Sequence, residues 1–249
     1  MLRYHRLPAL ARTLGLAQPL LLTVWIHSSL ACQKEPTPQV WRKERERLVK
    51  GLVSIGVRDS ATLAAMGTVP RHEFVPEDQR ADAYQDTPLP IGHGQTISQP
   101  AVVALMTELV EPRPGMKVLE VGTGSGYQAA VLAQAGCRVW TIEIFRALAV
   151  ESRERLSRLG YANVTVRHGD GYAGWPDIAP FDAIVVTAAA ESIPPPLLKQ
   201  LAPGGRLIMP VGGEGADQAL MLIQKNSAGE ISSREILPVR FVPFLRGVR

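Results

Sequence analysis

The chain has 249 residues, 46% of them hydrophobic and 20% charged, with a formal net charge of +4. That length suits one α/β domain with extensions, and the composition excludes a disordered chain. Arg3, Arg6 and Arg12 fall in the first 32 residues, which hold no acid, so the remainder is nearly neutral and gives no electrostatic case for nucleic acid.

Residues 1–32 read as a signal-like leader: arginines first, a mostly apolar run from Leu14 to Ile26, then Ser29-Leu30-Ala31-Cys32. The run is short for a membrane span. Ser29 to Ala31 offers a small-residue cleavage pattern and Cys32 a lipidation site; the other reading is a start upstream of the true domain. A polar, proline-containing linker covers 33–40, and a single domain is expected over 41–249, split into N-terminal helices with a loop (41–110) and an α/β core (116–249).

A helix is expected from Trp41 to about Leu52, with the Arg/Lys/Glu run at 42–50 as its solvated face. Asp59 or Ser60 caps a second helix, Ala61 to Met66. Val69 to Pro76 reads as irregular, Thr87 to Pro100 as a loop rich in Pro, Gly and polar residues, and Ala101 to Leu109 as a helix. Ser98 can cap that helix or serve a site.

The apolar strand Val118 to Val121 then runs into Gly122-Thr123-Gly124-Ser125-Gly126 and a helix over 126–135. Glycines permit a sharp strand-to-helix turn and close approach of a ligand to the helix N-terminus. The spacing departs from the dinucleotide pattern, which has a third glycine where Tyr127 stands. Glu120, just before the glycines, suits a cofactor carrying an ammonium group better than a pyrophosphate, and S-adenosylmethionine is such a cofactor. A second strand, 138–143, ends in Glu143, 21 residues after Gly122, where an acid can accept hydrogen bonds from both ribose hydroxyls.

A helix over 145–159 stops at Gly160, and strand 163–168 leads into His168-Gly169-Asp170-Gly171, where Asp170 can reach an adenine edge. Strand 181–187, ending in Thr187, precedes a short helix (195–201), a strand (205–210) and two antiparallel strands (218–224 and 234–242). This alternation predicts a doubly wound, mostly parallel α/β sheet with an N-terminal helical extension. Ligands bind at the carboxyl ends of such strands, where Gly122, Glu143, Asp170 and Thr187 fall. The two cysteines and the scattered histidines (His5, His27, His72, His93, His168) show no metal-ligand spacing, so no metal is expected.

Five segments together resemble the protein-L-isoaspartate O-methyltransferases over about residues 41–245: Leu89 to Pro100 (LPIGHGQTISQP), Val118 to Tyr127 (VLEVGTGSGY), Arg167 to Gly171 (RHGDG), Phe181 to Ala188 (FDAIVVTA) and Val239 to Pro243 (VRFVP). The glycine motif is shared by many methyltransferases; the Gly-Gln-Thr-Ile-Ser loop and the Arg-Phe-Val-Pro tail are far more specific. The resemblance implies a Rossmann-like class I methyltransferase fold and S-adenosyl-L-methionine as cofactor, left as S-adenosyl-L-homocysteine. It implies methyl transfer to the free carboxyl of L-isoaspartyl residues in damaged proteins, followed by a succinimide that opens partly to aspartate. It makes Ser98 the active-site serine, with Thr96 and Ile97 beside it along the channel. Glu120, Gly122, Gly124 and Gly126 would surround the methionine end, Glu143 the ribose, and Asp170 and Gly171 the adenine. Arg240, Phe241 and Val242 would line the peptide edge, with Thr187 counted among the substrate contacts. His93 receives no essential role. The implied location is cytoplasmic, with export or membrane attachment through 1–32 as the alternative.

A substrate carboxylate is already ionised at neutral pH, so no general base is required. Ser98 is expected to position that group, since no His–acid pair is evident to activate it as a nucleophile. A nicotinamide-dependent oxidoreductase would want glycine at 127 and a hydride-side residue that is not apparent. A non-catalytic binding module would have no use for an intact loop through Ser98.

Overall fold

A computed structural model describes residues 37–213 and 217–248; the expected leader lies outside the described residues. The described chain enters through α1 (Pro38–Ser54), which starts three residues before Trp41. Pro38 occupies the first turn, where its fixed φ suits a helix and its missing N–H leaves no bond unmade. The helix thus takes in the end of the stretch read as linker. Helix α2 (Ser60–Thr68) is capped by Asp59, not Ser60: the carboxylate accepts from the Thr62 N–H at 2.6 Å. A short 3₁₀ turn, Arg71–Phe74, follows where the sequence reads as irregular, and a second, Glu77–Asp82, comes just after it.

The Pro/Gly-rich loop contains a hairpin, β1 (Leu89–Gly92) and β2 (Gln95–Ile97), paired antiparallel. Left-handed backbone at His93 (φ 52°) and Gly94 (φ 68°) reverses the chain. Strands of four and three residues are too short for alternation to reveal. Helix α3 (Pro100–Val110) leads into the core.

From there the alternation runs as expected. In chain order come β3 (Lys117–Val121), α4 (Tyr127–Gln134), β4 (Arg138–Glu143), α5 (Arg146–Arg158) and β5 (Val164–His168). The second half holds β6 (Phe181–Val186), α6 (Pro195–Gln200), β7 (Leu201–Val211), β8 (Gln218–Lys225) and β9 (Ile231–Val239). The seven core strands lie in the order β5-β4-β3-β6-β7-β8-β9. Those from β5 through β7 are parallel, and β8 and β9 close the edge antiparallel.

β9 ends at Val239 rather than at 242 for a visible reason. The Gln218 side chain takes both main-chain groups of Phe241, accepting from its N–H at 2.7 Å and donating to its carbonyl at 3.3 Å. The chain then leaves the ladder as a strap, bonded instead to Ala189, whose N–H donates to Val242 and whose carbonyl accepts from Phe244.

The central strands β3 and β6 carry apolar residues buried on both faces, as parallel strands covered by helices do. Glu120, wholly buried in β3, is the exception. The winding reverses between β3 and β6, so their carboxyl ends form the switch point at which such sheets bind ligands.

Because Asp59 supplies the cap, Asp59→Ala is expected to lower stability by about 1 kcal/mol, whereas Ser60→Ala should shift it by less than about 0.5 kcal/mol. Urea titration of both variants checks the assignment.

Candidate active site

A crevice of about 780 Å³ opens at the carboxyl ends of β3, β4 and β6. Its wall includes Thr96, Ile97 and Ser98 from the end of the hairpin, and Glu120, Gly122 and Gly124 from the β3 turn. Glu143, Gly171, Thr187 and Val242 complete the set of sequence-predicted residues that meet there.

Two glycines set the geometry. Gly122 has φ 96°, and a Cβ on it would collide with Oγ1 of Thr187. A Cβ on Gly171 would collide with Cγ1 of Val121. Gly126 differs: it is not on the crevice wall, and its missing Cβ leaves room, at 3.1 Å, for the Leu156 side chain of α5. The sequence places Gly126 at the methionine end of the cofactor; in the structure its missing Cβ serves the packing of α4 against α5.

Electrostatics centre on Glu120. One carboxylate oxygen accepts from the Thr141 hydroxyl at 2.5 Å, and that hydroxyl lies 2.6 Å from the hydroxyl of Thr123. The other oxygen, Oε1, is buried without a hydrogen-bond partner. Burial above all pushes the Glu120 carboxyl up to about 8, the charge of Glu143 adds to this, and the Thr141 hydroxyl and nearby Ala129 N–H oppose it. Glu143 accepts from the Gly124 N–H at 2.7 Å and from the Phe145 N–H at 3.0 Å, one on each oxygen. Each of those oxygens keeps a further lone pair for a ligand.

An unsatisfied acid beside a turn where added Cβ atoms would clash, with a second acid able to accept two hydroxyl protons, fits a nucleoside cofactor that carries an ammonium group. A pyrophosphate would instead set like charge against Glu120 and Glu143.

Other predicted residues lie elsewhere. Asp170 is not on the crevice wall. Its carboxylate accepts from the Tyr172 N–H at 2.9 Å, and from Arg246 Nε and the Gly247 N–H at 3.0 Å each. Partial burial would raise its pKa, but the Gly247 and Tyr172 N–H groups and Arg246 outweigh that and hold it below the usual carboxylate value. The Arg246 guanidinium also sits 3.7 Å from the centroid of the Tyr172 ring. Arg240 and Phe241 border a second cavity of about 360 Å³, which shares Thr96, Ser98, Thr187 and Val242 with the crevice. The Thr187 hydroxyl donates to the Gly122 carbonyl at 2.6 Å. It therefore faces a substrate as an acceptor only, fit for a peptide N–H and not for a carboxylate.

Ser98 does not cap α3. The first free N–H of that helix, on Ala101, is taken by Asp86 at 2.8 Å. The Ser98 carbonyl is held by Nη2 of Arg71 at 2.8 Å, and the same guanidinium donates through Nε to Ala83 at 2.7 Å. Arg71 is wholly buried, with its guanidinium 4.7 Å from the centroid of the Tyr127 ring. Sequence reasoning missed Arg71; the one available signal was a lone arginine between Val69-Pro70 and Phe74-Val75. His93 sits at the hairpin tip against the Phe145 ring, 5.8 Å away. Among the described residues no group of three or more His, Cys, Asp or Glu is arranged to hold a metal ion.

Comparison with known proteins places this geometry. The family model described as Protein-L-isoaspartate(D-aspartate) O-methyltransferase (PCMT) matches residues 43–249. Protein-L-isoaspartate O-methyltransferase 2 of Polaromonas sp. (strain JS666) is 62% identical over 185 residues, covering 74% of this chain and 88% of that protein. A solved structure named protein-L-isoaspartate O-methyltransferase superposes with a TM-score of 0.73 at 33% identity, over 80% of this chain and 65% of that one. A Plasmodium falciparum chain described as a protein-L-isoaspartate O-methyltransferase, in complex with S-adenosyl-L-homocysteine, gives a TM-score of 0.70 at 28% identity, over 82% and 99% of the two chains.

The raised Glu120 carboxyl carries a pH signature. Between about 4.5 and about 8 the unfolded chain has lost this proton while the folded chain keeps it, so the group's contribution to stability falls as pH rises. Glu120→Gln stays neutral and is expected to gain on the wild type by on the order of 3 kcal/mol between pH 5 and pH 8, read by urea denaturation of the ligand-free protein.

Proposed function

The chain belongs to the protein-L-isoaspartate(D-aspartate) O-methyltransferase family, and we propose that its crevice and the adjoining cavity divide the labour of that reaction. The enzyme is a repair methyltransferase. It transfers the methyl group of S-adenosyl-L-methionine to the free carboxyl of L-isoaspartyl residues in damaged proteins. The methyl ester then closes to a succinimide, which opens partly to aspartate.

The observation that carries the residue assignment is the shared border. Thr96, Ser98, Thr187 and Val242 line both cavities, so a group entering from the smaller one meets whatever the larger one holds. In this reading Glu143 accepts from the ribose hydroxyls through its remaining lone pairs, and Glu120 with the turn at Gly122 and Gly124 receives the methionine end. Gly171 lets the nucleoside lie close to the chain. Asp170 acts at the adenine corner from behind the wall, where Arg246 and the Tyr172 N–H fix it. Ser98 donates a hydrogen bond to the substrate carboxylate, and Thr187 accepts from a peptide N–H. Arg240, Phe241 and Val242, on the strap that Gln218 and Ala189 hold, form the peptide edge.

The cofactor supplies an activated methyl on a sulfonium. The protein supplies alignment, which in favourable cases is worth roughly 7–11 kcal/mol. Its partners are peptides and proteins containing isoaspartate. We place the enzyme in the cytoplasm, where the cofactor is made; among the described residues no helix is long and apolar enough to cross a membrane.

Labelled S-adenosyl-L-methionine offered with an isoaspartyl peptide and with its aspartyl counterpart should mark only the first. Ser98→Ala is expected to lower kcat/KM by about tenfold or more while the Kd for S-adenosyl-L-homocysteine stays within about twofold, because only a bond to a charged substrate group is lost. Glu143→Ala should do the reverse, raising that Kd by about tenfold or more. Kinetics and calorimetry on the two variants would expose swapped roles.

A further inference from the structure

Gln128 stands in the first turn of α4, nearly buried, and forms part of the crevice wall. No motif points to it. Its amide is nevertheless tied in a way that fixes which end is left for a ligand. Nε2 donates to the Thr107 hydroxyl on α3 at 2.9 Å, and that hydroxyl donates in turn to the Val103 carbonyl at 2.8 Å. A hydroxyl has one proton. With that proton on Val103, Thr107 can only accept from Gln128, so the amino end of the amide is committed to α3. The carbonyl end, Oε1, is left buried without a hydrogen-bond partner.

A second buried oxygen on the same wall shares this condition: Oε1 of Glu120. Both side chains line the same crevice, and the N–H of Ala129, next in sequence to Gln128, acts on the Glu120 carboxyl. Two orphaned acceptors on one crevice wall, one of them an acid, suit a ligand group with several N–H donors and positive charge. Against an ionised Glu120, a carboxylate or a phosphate would meet only acceptors there. Buried acceptors are seldom left unmatched, because each forfeits the bond it made to water.

We propose that Gln128 is a cofactor-binding residue, oriented by Thr107, and that its carbonyl accepts from the α-ammonium of the cofactor's methionine end beside Glu120. This rests on the S-adenosylmethionine reading of the crevice and adds to it a contact that the glycine motif does not specify.

The test is calorimetry on the whole protein with two probes. S-adenosyl-L-homocysteine carries the α-ammonium; 5′-methylthioadenosine has the same nucleoside without it. Gln128→Leu is expected to raise the Kd for S-adenosyl-L-homocysteine about tenfold and to leave the Kd for 5′-methylthioadenosine within about twofold. Thr107→Val, which frees the amide without touching the crevice wall, should weaken S-adenosyl-L-homocysteine about threefold. Gln128→Glu keeps an acceptor in place and should bind it within about threefold of wild type. Equal losses for both probes in Gln128→Leu would overturn the proposal, as would no loss for either. A Gln128→Glu variant weaker than Gln128→Leu would mean that the amide donates to the cofactor's carboxylate, and would overturn it too. If the wild type bound neither probe, the cofactor reading itself would fall, which is a different result from any failure of Gln128.

Discussion

The close approach of β3 to its neighbours at their carboxyl ends governs everything at the crevice. The contacts of Gly122 with Thr187 and of Gly171 with Val121 leave no space for a Cβ. Backbone therefore lines the floor of the site, and the side chains that matter enter from its sides. The same closeness buries Glu120 completely and makes its second oxygen an unsatisfied acceptor. Thr141 and Thr123 relieve only the first oxygen. A carboxyl in this position favours its neutral form until a cation arrives, so cofactor selection by charge and the burial of the strand tip are one property seen twice.

The two sides of the crevice are held by basic residues used in opposite ways. On the Ser98 side, Arg71 is buried with carbonyls and an aromatic ring as its partners. A guanidinium so placed fixes several chain segments at once, because its donors form a rigid fork. It orients the backbone at Ser98 without touching the chemistry. On the adenine side, Arg246 is more than half exposed and pairs with Asp170. That contact is worth little as an ion pair. It matters for where it ends: the strap that begins at Arg240 finishes against Asp170, two residues past β5. Under the proposed roles, one short run of chain thus joins the peptide edge to the nucleoside corner.

Much of this was legible in the sequence, and the parts that were not share a cause. The strand–glycine–helix turn, Glu143 at the tip of the next strand and the parallel order follow from local patterns, because spacing along a strand or helix fixes position. Ser98 was legible through its loop. Asp170 was read toward the crevice because its two glycines are local, while its partner Arg246 lies 76 residues away. β9 was placed three residues too late, over 234–242 instead of 231–239, because Gln218, 23 residues before Phe241, holds that residue outside the ladder. Gln128 was invisible for another reason. A glutamine in a helix pattern is unremarkable until the proton of Thr107, 21 residues earlier, has been followed to its acceptor.

Methyl transfer from a sulfonium to a carboxylate brings together a cation and an anion and leaves two neutral groups. Charge is therefore dispersed on the way to the transition state, and a water-poor site favours that change over a solvated one. The apolar members of the crevice wall, among them Ile97, Val103, Val121, Ile142 and Phe244, suit this demand. The acids at its margin do not contradict it. Under the proposed roles Glu120 and Glu143 face the non-reacting ends of the cofactor, so their charge serves binding while the reacting atoms meet between Ser98 and the apolar wall. With an acceptor already ionised and a donor already activated, a base near Ser98 would have no proton to take. Under the proposed roles, one serine, whose carbonyl Arg71 holds from behind, is then sufficient for the reaction.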